Sequence, residues 1–234
     1  MRQVILTRSP AECAQTAARL HSMGFDPLIA PLFDIKPVPH RVPEHDFKAV
    51  IATSRHALLT LEPHIRDRLR QIPLYVVGPA TAETARALGF TAIRPGPGDA
   101  AGLAQIIVQE QSETEQILFL TGEPRKPDLE AALGPRFALT LCSLYRSIPR
   151  DAFPRDVLAK ITDPAPIWLH FSQKSAERAA KLIKTTGYEA FFTKGLHIAL
   201  APAITETLKN AGVAQCLTAK EPTQTALLEA LGTI

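Results

Sequence analysis

The chain has 234 residues, enough for one large domain or two small ones, and its 46% hydrophobic and 21% charged content excludes a disordered chain. A net charge of +3 without dense Lys/Arg runs argues against a nucleic-acid binder and only weakly for anionic partners. No apolar run is long enough to span a bilayer, the start MRQVILTRSP is too short in apolar core for a signal peptide, and Cys13, Cys142 and Cys216 fit neither a disulfide framework nor a metal site. The 7 histidines show no paired spacing with a third ligand, so no metal site is expected. A cytoplasmic protein with reduced thiols and no membrane association is the reading that results.

Taken in chain order, short apolar runs alternate with amphipathic stretches. Val4–Thr7 predicts a strand, Pro10–Met23 a helix closed by Gly24, and Pro27–Ile35 an extended segment. Ala49–Thr53 predicts a strand, followed by a helix around Ala57–Leu61. Leu74–Val77 is a strand, Ala82–Leu88 a helix stopped by Gly89, and Thr91–Arg94 a short extended piece. A helix over Ala100–Gln109 leads to a strand at Ile117–Leu120, where the alternation begins again. Repeated βα units of this kind imply α/β architecture with parallel sheets.

The chain also resembles itself. IL-T, helix, GF, LFDIKP recurs as FL-T, helix, RF, LYRSIP, so that Phe25, Leu32, Phe33 and Pro37 fall opposite Phe137, Leu144, Tyr145 and Pro149. GPATAETARALG from Gly78 recurs as APAITETLKNAG from Ala201. The pattern predicts an internal duplication giving two flavodoxin-like, parallel-sheet domains. The proline-rich segments LFDIKPVPHRVPEH and LYRSIPRDAFPRD suit stiff crossings between them. The expected division is a discontinuous domain one from residues 1–36 and 151–234, an inserted domain two from 45–144, and crossings at 37–44 and 145–150.

In open α/β sheets, ligands bind beyond the carboxyl ends of the strands. Those ends read Thr7-Arg8-Ser9, Thr53-Ser54-Arg55, Gly78-Pro79-Ala80-Thr81, Thr121-Gly122-Glu123 and Phe171-Ser172-Gln173. Each precedes a helix, whose free N–H groups attract anions. The plainer reading is that the hydroxyls only cap helices. No G-x-G-x-x-G, G-x-x-x-x-G-K-[ST] or G-x-S-x-G occurs, and GPGDAAG at Gly96–Gly102 reads as a turn. Arg125 and Lys126 read as flexible surface, Trp168 as core, and His170, alternating with it, as a buried and satisfied histidine. The pattern suits a protein that binds a large anion and works without a cofactor.

VILTRS, VIATSRHA, YVVGPATAET, ILFLTGEPRKPDL, LCSLYRS, WLHFSQKSA and TAKEPTQTALLEAL follow one another along the chain. This ordered series resembles the uroporphyrinogen-III synthase family over essentially the whole length. The resemblance implies two flavodoxin-like domains joined by a two-stranded linker, in a monomer without cofactor. It implies a cyclising hydro-lyase of tetrapyrrole biosynthesis. The substrate would be hydroxymethylbilane, held between the domains through backbone N–H groups and hydroxyls, and the product uroporphyrinogen III. Transient contact with hydroxymethylbilane synthase is a further possible partnership.

Carried over by position, Ser54, Thr81 and Ser172 are the implied hydroxyl contacts and Tyr145 the implied general acid. Thr7, Arg8, Arg55, Gly78, Gly122 and Ala203 complete the implied substrate site. The second copy has Ala201-Pro202-Ala203-Ile204 where the family often shows G-P-x-T, which removes a hydroxyl but leaves the backbone. Only the second copy carries a phenol, because Phe33 stands opposite Tyr145. The rival reading is a non-enzymatic two-domain receptor for a polyanionic small molecule, as in periplasmic anion receptors. A receiver-like module would need clustered acids after the first strand, and Thr7-Arg8 does not supply them.

Overall fold

The computed structural model describes residues 1–232; the last two residues of the expected domain one, 233 and 234, lie outside the described residues. The elements run β1 (Arg2–Leu6), α1 (Pro10–Ser22), β2 (Phe25–Ile29), β3 (Phe33–Pro37), β4 (Ala49–Ala52), α2 (Arg55–Thr60) and α3 (Pro63–Leu69). They continue with β5 (Leu74–Val76), α4 (Pro79–Ala87), β6 (Ile93–Pro95), α5 (Ala100–Glu110), β7 (Gln116–Glu123), α6 (Asp128–Leu133) and β8 (Ala138–Pro149). The chain closes with α7 (Arg155–Leu158), β9 (Ile167–His170), α8 (Gln173–Ile183), α9 (Glu189–Lys194), β10 (Leu196–Ala199), α10 (Pro202–Asn210), β11 (Gln215–Thr218) and α11 (Gln224–Gly232).

Two compact units form, Met1–Asp34 with Ile148–Ile234 and Ile35–Ser147. In the first, five strands lie in the order β11-β10-β9-β1-β2, all pairs parallel. In the second, the order is β3-β8-β7-β4-β5-β6, and the five strands from β8 to β6 are again parallel. Counted along the chain, the first stack has the flavodoxin-like order 2-1-3-4-5, and the second, 5-4-1-2-3, is a circular permutation of it. β3 lies on the far side of β8. Val38 N–H donates to the Leu144 carbonyl at 3.0 Å and Arg150 N–H to the Leu32 carbonyl at 3.0 Å. One partner rises in number as the other falls, so this pair runs antiparallel.

The sequence pattern explains why these sheets are central. Side chains alternate across a strand, and here both alternating sets are apolar. Ile5 joins Trp168 and Ala199 on one face, while Val4 and Leu6 join Ile167, Leu169 and Ile198 on the other. Val50 and Ala52 face one cluster of the second unit, and Ala49 and Ile51 the opposite one. The helices then cover both faces.

Several boundaries depart from the sequence reading. The extended run expected over Pro27–Ile35 is two strands, β2 and β3, separated by buried Ala30 and Leu32. Pro27 is tolerated because β2 is an edge strand. α4 begins at Pro79, before the expected Ala82, because proline at a first helical position loses no hydrogen bond. α3 was not foreseen. The expected strand Ile117–Leu120 runs on to Glu123.

Trp168 is core, as its apolar strand suggests, but His170 does not alternate with it. Residues two apart share a face, and the two rings lie stacked with centroids 6.4 Å apart at 8°. His170 and His197 are both fully buried, joined Nε2 to Nδ1 at 2.9 Å. His197 Nε2 lies 2.8 Å from the Phe192 carbonyl, which can only accept. His197 therefore donates there, its Nδ1 accepts, and His170 donates through Nε2. His170 Nδ1 has no partner, so this histidine is satisfied on one side only.

Burial pushes the His170 ring far below its ordinary range, with the neighbouring His197 adding to the effect. Burial likewise pushes His197 down to about 4. Unfolded histidine takes up a proton near 6.5. Between those values the unfolded chain binds more protons than the folded one, so stability rises with pH and is lost as pH falls from about 6.5 towards 4. The His197 shift corresponds to a loss of up to about 3 kcal/mol. Urea unfolding between pH 7 and pH 4 should show this slope, and a His170→Leu/His197→Leu double variant should flatten it. An unchanged slope in the double variant would assign the acid loss to carboxylates elsewhere.

Candidate functional site

Each sheet reverses its strand order once, between β1 and β9 in the first unit and between β7 and β4 in the second. The loops leaving two such strands diverge to opposite faces and open a crevice at their carboxyl ends. The sequence-predicted residues fall largely on these loops.

In the first unit, Thr7 sits just beyond β1, 2% exposed, with its Oγ1 unpartnered. Arg8 is held by Glu12 at 2.9 Å and lies 4.8 Å from the centre of the Phe171 ring. Ser9 Oγ donates to the other Glu12 oxygen at 2.9 Å. Ser172, beyond β9, is exposed and caps α8, accepting from Ser175 N–H at 3.2 Å. Ala203 is exposed in the first turn of α10, with Ile204 in the core behind it.

In the second unit a cavity of ≈ 570 Å³ lies at the switch point. Thr53 and Ser54 line it from beyond β4, Thr121 and Gly122 from β7, and Tyr145 from β8. Ser54 Oγ accepts from His56 N–H at 3.2 Å, so it caps α2 as well as facing the cavity. Arg55 is half-buried at the start of that helix and, like Gly78 and Thr81, is not on the cavity wall. Gly78 closes on the loop of Gly98, where an added Cβ would stand 3.8 Å from the Gly98 Cα. Thr81 is 8% exposed on the inner side of α4. Its counterpart in the sequence repeat is Ile204, a core residue, so this position packs inward in both units.

Tyr145 owes its placement to a β-bulge. Thr121 pairs with Ser143, but Gly122 pairs with Tyr145, leaving Leu144 as the extra residue. An extra residue reverses the alternation that follows it. Leu144 and Tyr145 therefore pack against the same apolar cluster, and the opposition expected from strict alternation does not hold. Beyond the bulge Glu123 pairs with Arg146, and their side chains meet at 2.7 Å. The Arg146 hydrogen bond lowers the Glu123 carboxyl below its ordinary range.

The Tyr145 ring lies directly on Gly122. A Cβ there would come within 2.2 Å of the ring carbon Cζ. The His56 ring flanks the phenol, with centroids 5.6 Å apart and a 59° tilt.

Sequence reasoning missed part of this wall. Gly98 and Asp99, read as a plain turn, line the cavity, and Asp99 also caps α5 by accepting from Gly102 N–H at 2.7 Å. Arg125 and Lys126, read as flexible surface, line it too, with Arg125 held by Glu130 at 3.0 Å. The signal was available, since both loops follow strands whose carboxyl ends lie on the same edge of the sheet. The end of β6, which leads to Gly98 and Asp99, was not among the ends read, while Arg125 and Lys126 follow the end of β7 that was.

Two sheets, each with five parallel strands around a switch point where helix starts and hydroxyls gather, define a two-unit α/β protein of flavodoxin-like build. Residues 14–229 match the family described as Uroporphyrinogen-III synthase HemD. The chain belongs to the uroporphyrinogen-III synthase family. It is similar in fold to uroporphyrinogen-III synthetase from Helicobacter pylori 26695, with a TM-score of 0.68 at 17% identity over 100% of both chains. A mutant uroporphyrinogen III synthase from the extremely thermophilic bacterium Thermus thermophilus matches with a TM-score of 0.53 at 16% identity, over 100% of this chain and 98% of that one.

Gly122→Ala should drive the phenol ring off the strand, because ring and Cβ cannot share the space. The ring borders a cavity and can yield, so the stability cost should stay near 1–3 kcal/mol, about that of an overpacked site. Tyrosine ring NMR should show the Tyr145 resonances displaced and those of Tyr75, across the sheet, unmoved. An unmoved Tyr145 would refute the close packing.

Proposed function

We propose that this chain closes hydroxymethylbilane into uroporphyrinogen III, releasing water and inverting the last pyrrole ring. The family match over residues 14–229 carries this reading. The cavity of the second unit, where a phenol, hydroxyls and the cations Arg125 and Lys126 share one wall, supports it. A substrate bearing carboxylates on every ring is suited to cations and to free N–H groups at helix starts.

The work asked of the protein is mostly geometric. Loss of the terminal hydroxyl gives a reactive azafulvene, and free in water the chain closes to the uninverted isomer. Holding the folded substrate so that the substituted carbon of the last ring attacks selects the spiro intermediate instead. That intermediate fragments, and the free carbon of the same ring then closes the macrocycle. Tyr145 donates a proton to the departing hydroxyl, which leaves as water. The proton released when the last ring regains its aromaticity restores the phenol. Thr7, Arg8, Ser54, Arg55, Gly78, Thr81, Gly122, Ser172 and Ala203 remain the proposed substrate contacts.

The reaction is proposed for the cytoplasm, where Cys13, Cys142 and Cys216 would stay reduced. Because the substrate closes by itself, transient contact with hydroxymethylbilane synthase would favour the type III product.

Incubation with hydroxymethylbilane, oxidation of the product and separation of the isomers tests the reading. Type III porphyrin should dominate, and type I alone would overturn it. Tyr145→Phe should slow type III formation without abolishing it, by about a hundredfold or less, the lower range for a positioned acid. The fold should survive, since Phe33 holds the matching place in the repeat. Full activity in a normally stable Tyr145→Phe variant would move proton donation to water or to the substrate's own carboxylates.

A further inference from the structure

We infer that His56 is a positioning residue for the Tyr145 phenol, an inference that rests on reading Tyr145 as the proton donor. Beside the apolar cluster against which it packs, the Tyr145 ring meets Gly122 and His56. Gly122 lies beneath it, with no Cβ to hold it away from the strand. The His56 ring stands beside it, 5.6 Å away and tilted by 59°. Removing the imidazole would open the side of the phenol that His56 now bounds.

The backbone of His56 is well fixed. Its backbone N–H donates to Ser54 Oγ at 3.2 Å, at the start of α2. The next two residues of that helix, Ala57 and Leu58, are fully buried in the cluster against which Tyr145 packs. The strand end at Ser54 thus sets the helix start, the helix start places the Cα from which the imidazole projects, and the imidazole bounds the phenol. Ser54 therefore acts on the cavity through this chain as well as by facing it. General acid catalysis depends on alignment, and a misplacement of about 1 Å can reduce a rate a hundredfold.

The test is a double-mutant cycle read by type III formation from hydroxymethylbilane. His56→Ala should lower kcat by about tenfold to a hundredfold and leave KM within about twofold, because substrate contacts remain. His56→Phe, which restores a ring at that place, should recover most of the rate. His56→Gln, which fills space without a ring, should behave like His56→Ala and replaces it should the alanine variant not fold. In a Tyr145→Phe background, His56→Ala should cost almost nothing further, because its effect passes through the lost hydroxyl. Equal losses in both backgrounds, or full activity in His56→Ala, would overturn the role of His56 and leave the reaction standing. Wild-type protein that makes only type I product would instead overturn the function on which the inference rests.

Discussion

Everything functional in this protein follows from sheets buried on both faces. Every residue of β4 is buried, as is every residue of β9 and β10. Helices occupy the space above and below, and neighbouring strands consume the backbone donors and acceptors between them. A polar ligand can then be met only at strand ends, where chain passes from sheet to helix and leaves N–H groups unpaired. Ser54 caps a helix and lines the cavity, Ser172 caps a helix, and Thr7 ends a strand with its hydroxyl unpartnered.

This duality limits what a sequence can reveal. The parallel α/β architecture was legible, because Val4–Leu6, Ala49–Ala52 and Ile117–Leu120 are continuous apolar runs separated by helical stretches. Helix ends could be located to within a residue or two, since Gly24 and Gly89 stop helices at positions where φ is +83° and +86°. Side-chain direction at the strand ends was not legible. Thr81 carries a hydroxyl in a sequence of the right kind, yet it turns inward like Ile204. Arg125 and Lys126 follow a proline, which suggests loop, and nothing local says that the loop folds over a cavity.

Tyr145 shows the limit most clearly. Its residue type and its place opposite Phe33 singled it out, but period-two alternation set it opposite Leu144, with which it shares a cluster. The bulge responsible involves two strands, and a single strand's sequence does not encode whether its neighbour will skip a residue. The cue was indirect. Gly122, the one glycine of β7, leaves the strand flat enough to accept a ring at that register.

The order of strands in the first unit has a consequence for how the chain is made. β1 is flanked by β2, close in sequence, and by β9, where Val4 pairs with Ile167. The second unit is contiguous from Ile35 to Ser147, and all of it leaves the ribosome before β9 exists. During synthesis the opening β1-α1-β2 segment must wait with one side of its central strand open while another unit assembles behind it. Pairings between distant segments form slowly, and an unpaired apolar strand is exposed to other chains in the meantime. Ile5, fully buried in the finished sheet, stays uncovered on that side until β9 arrives, so nascent chains stalled short of residue 167 are the form of this protein most in need of a chaperone.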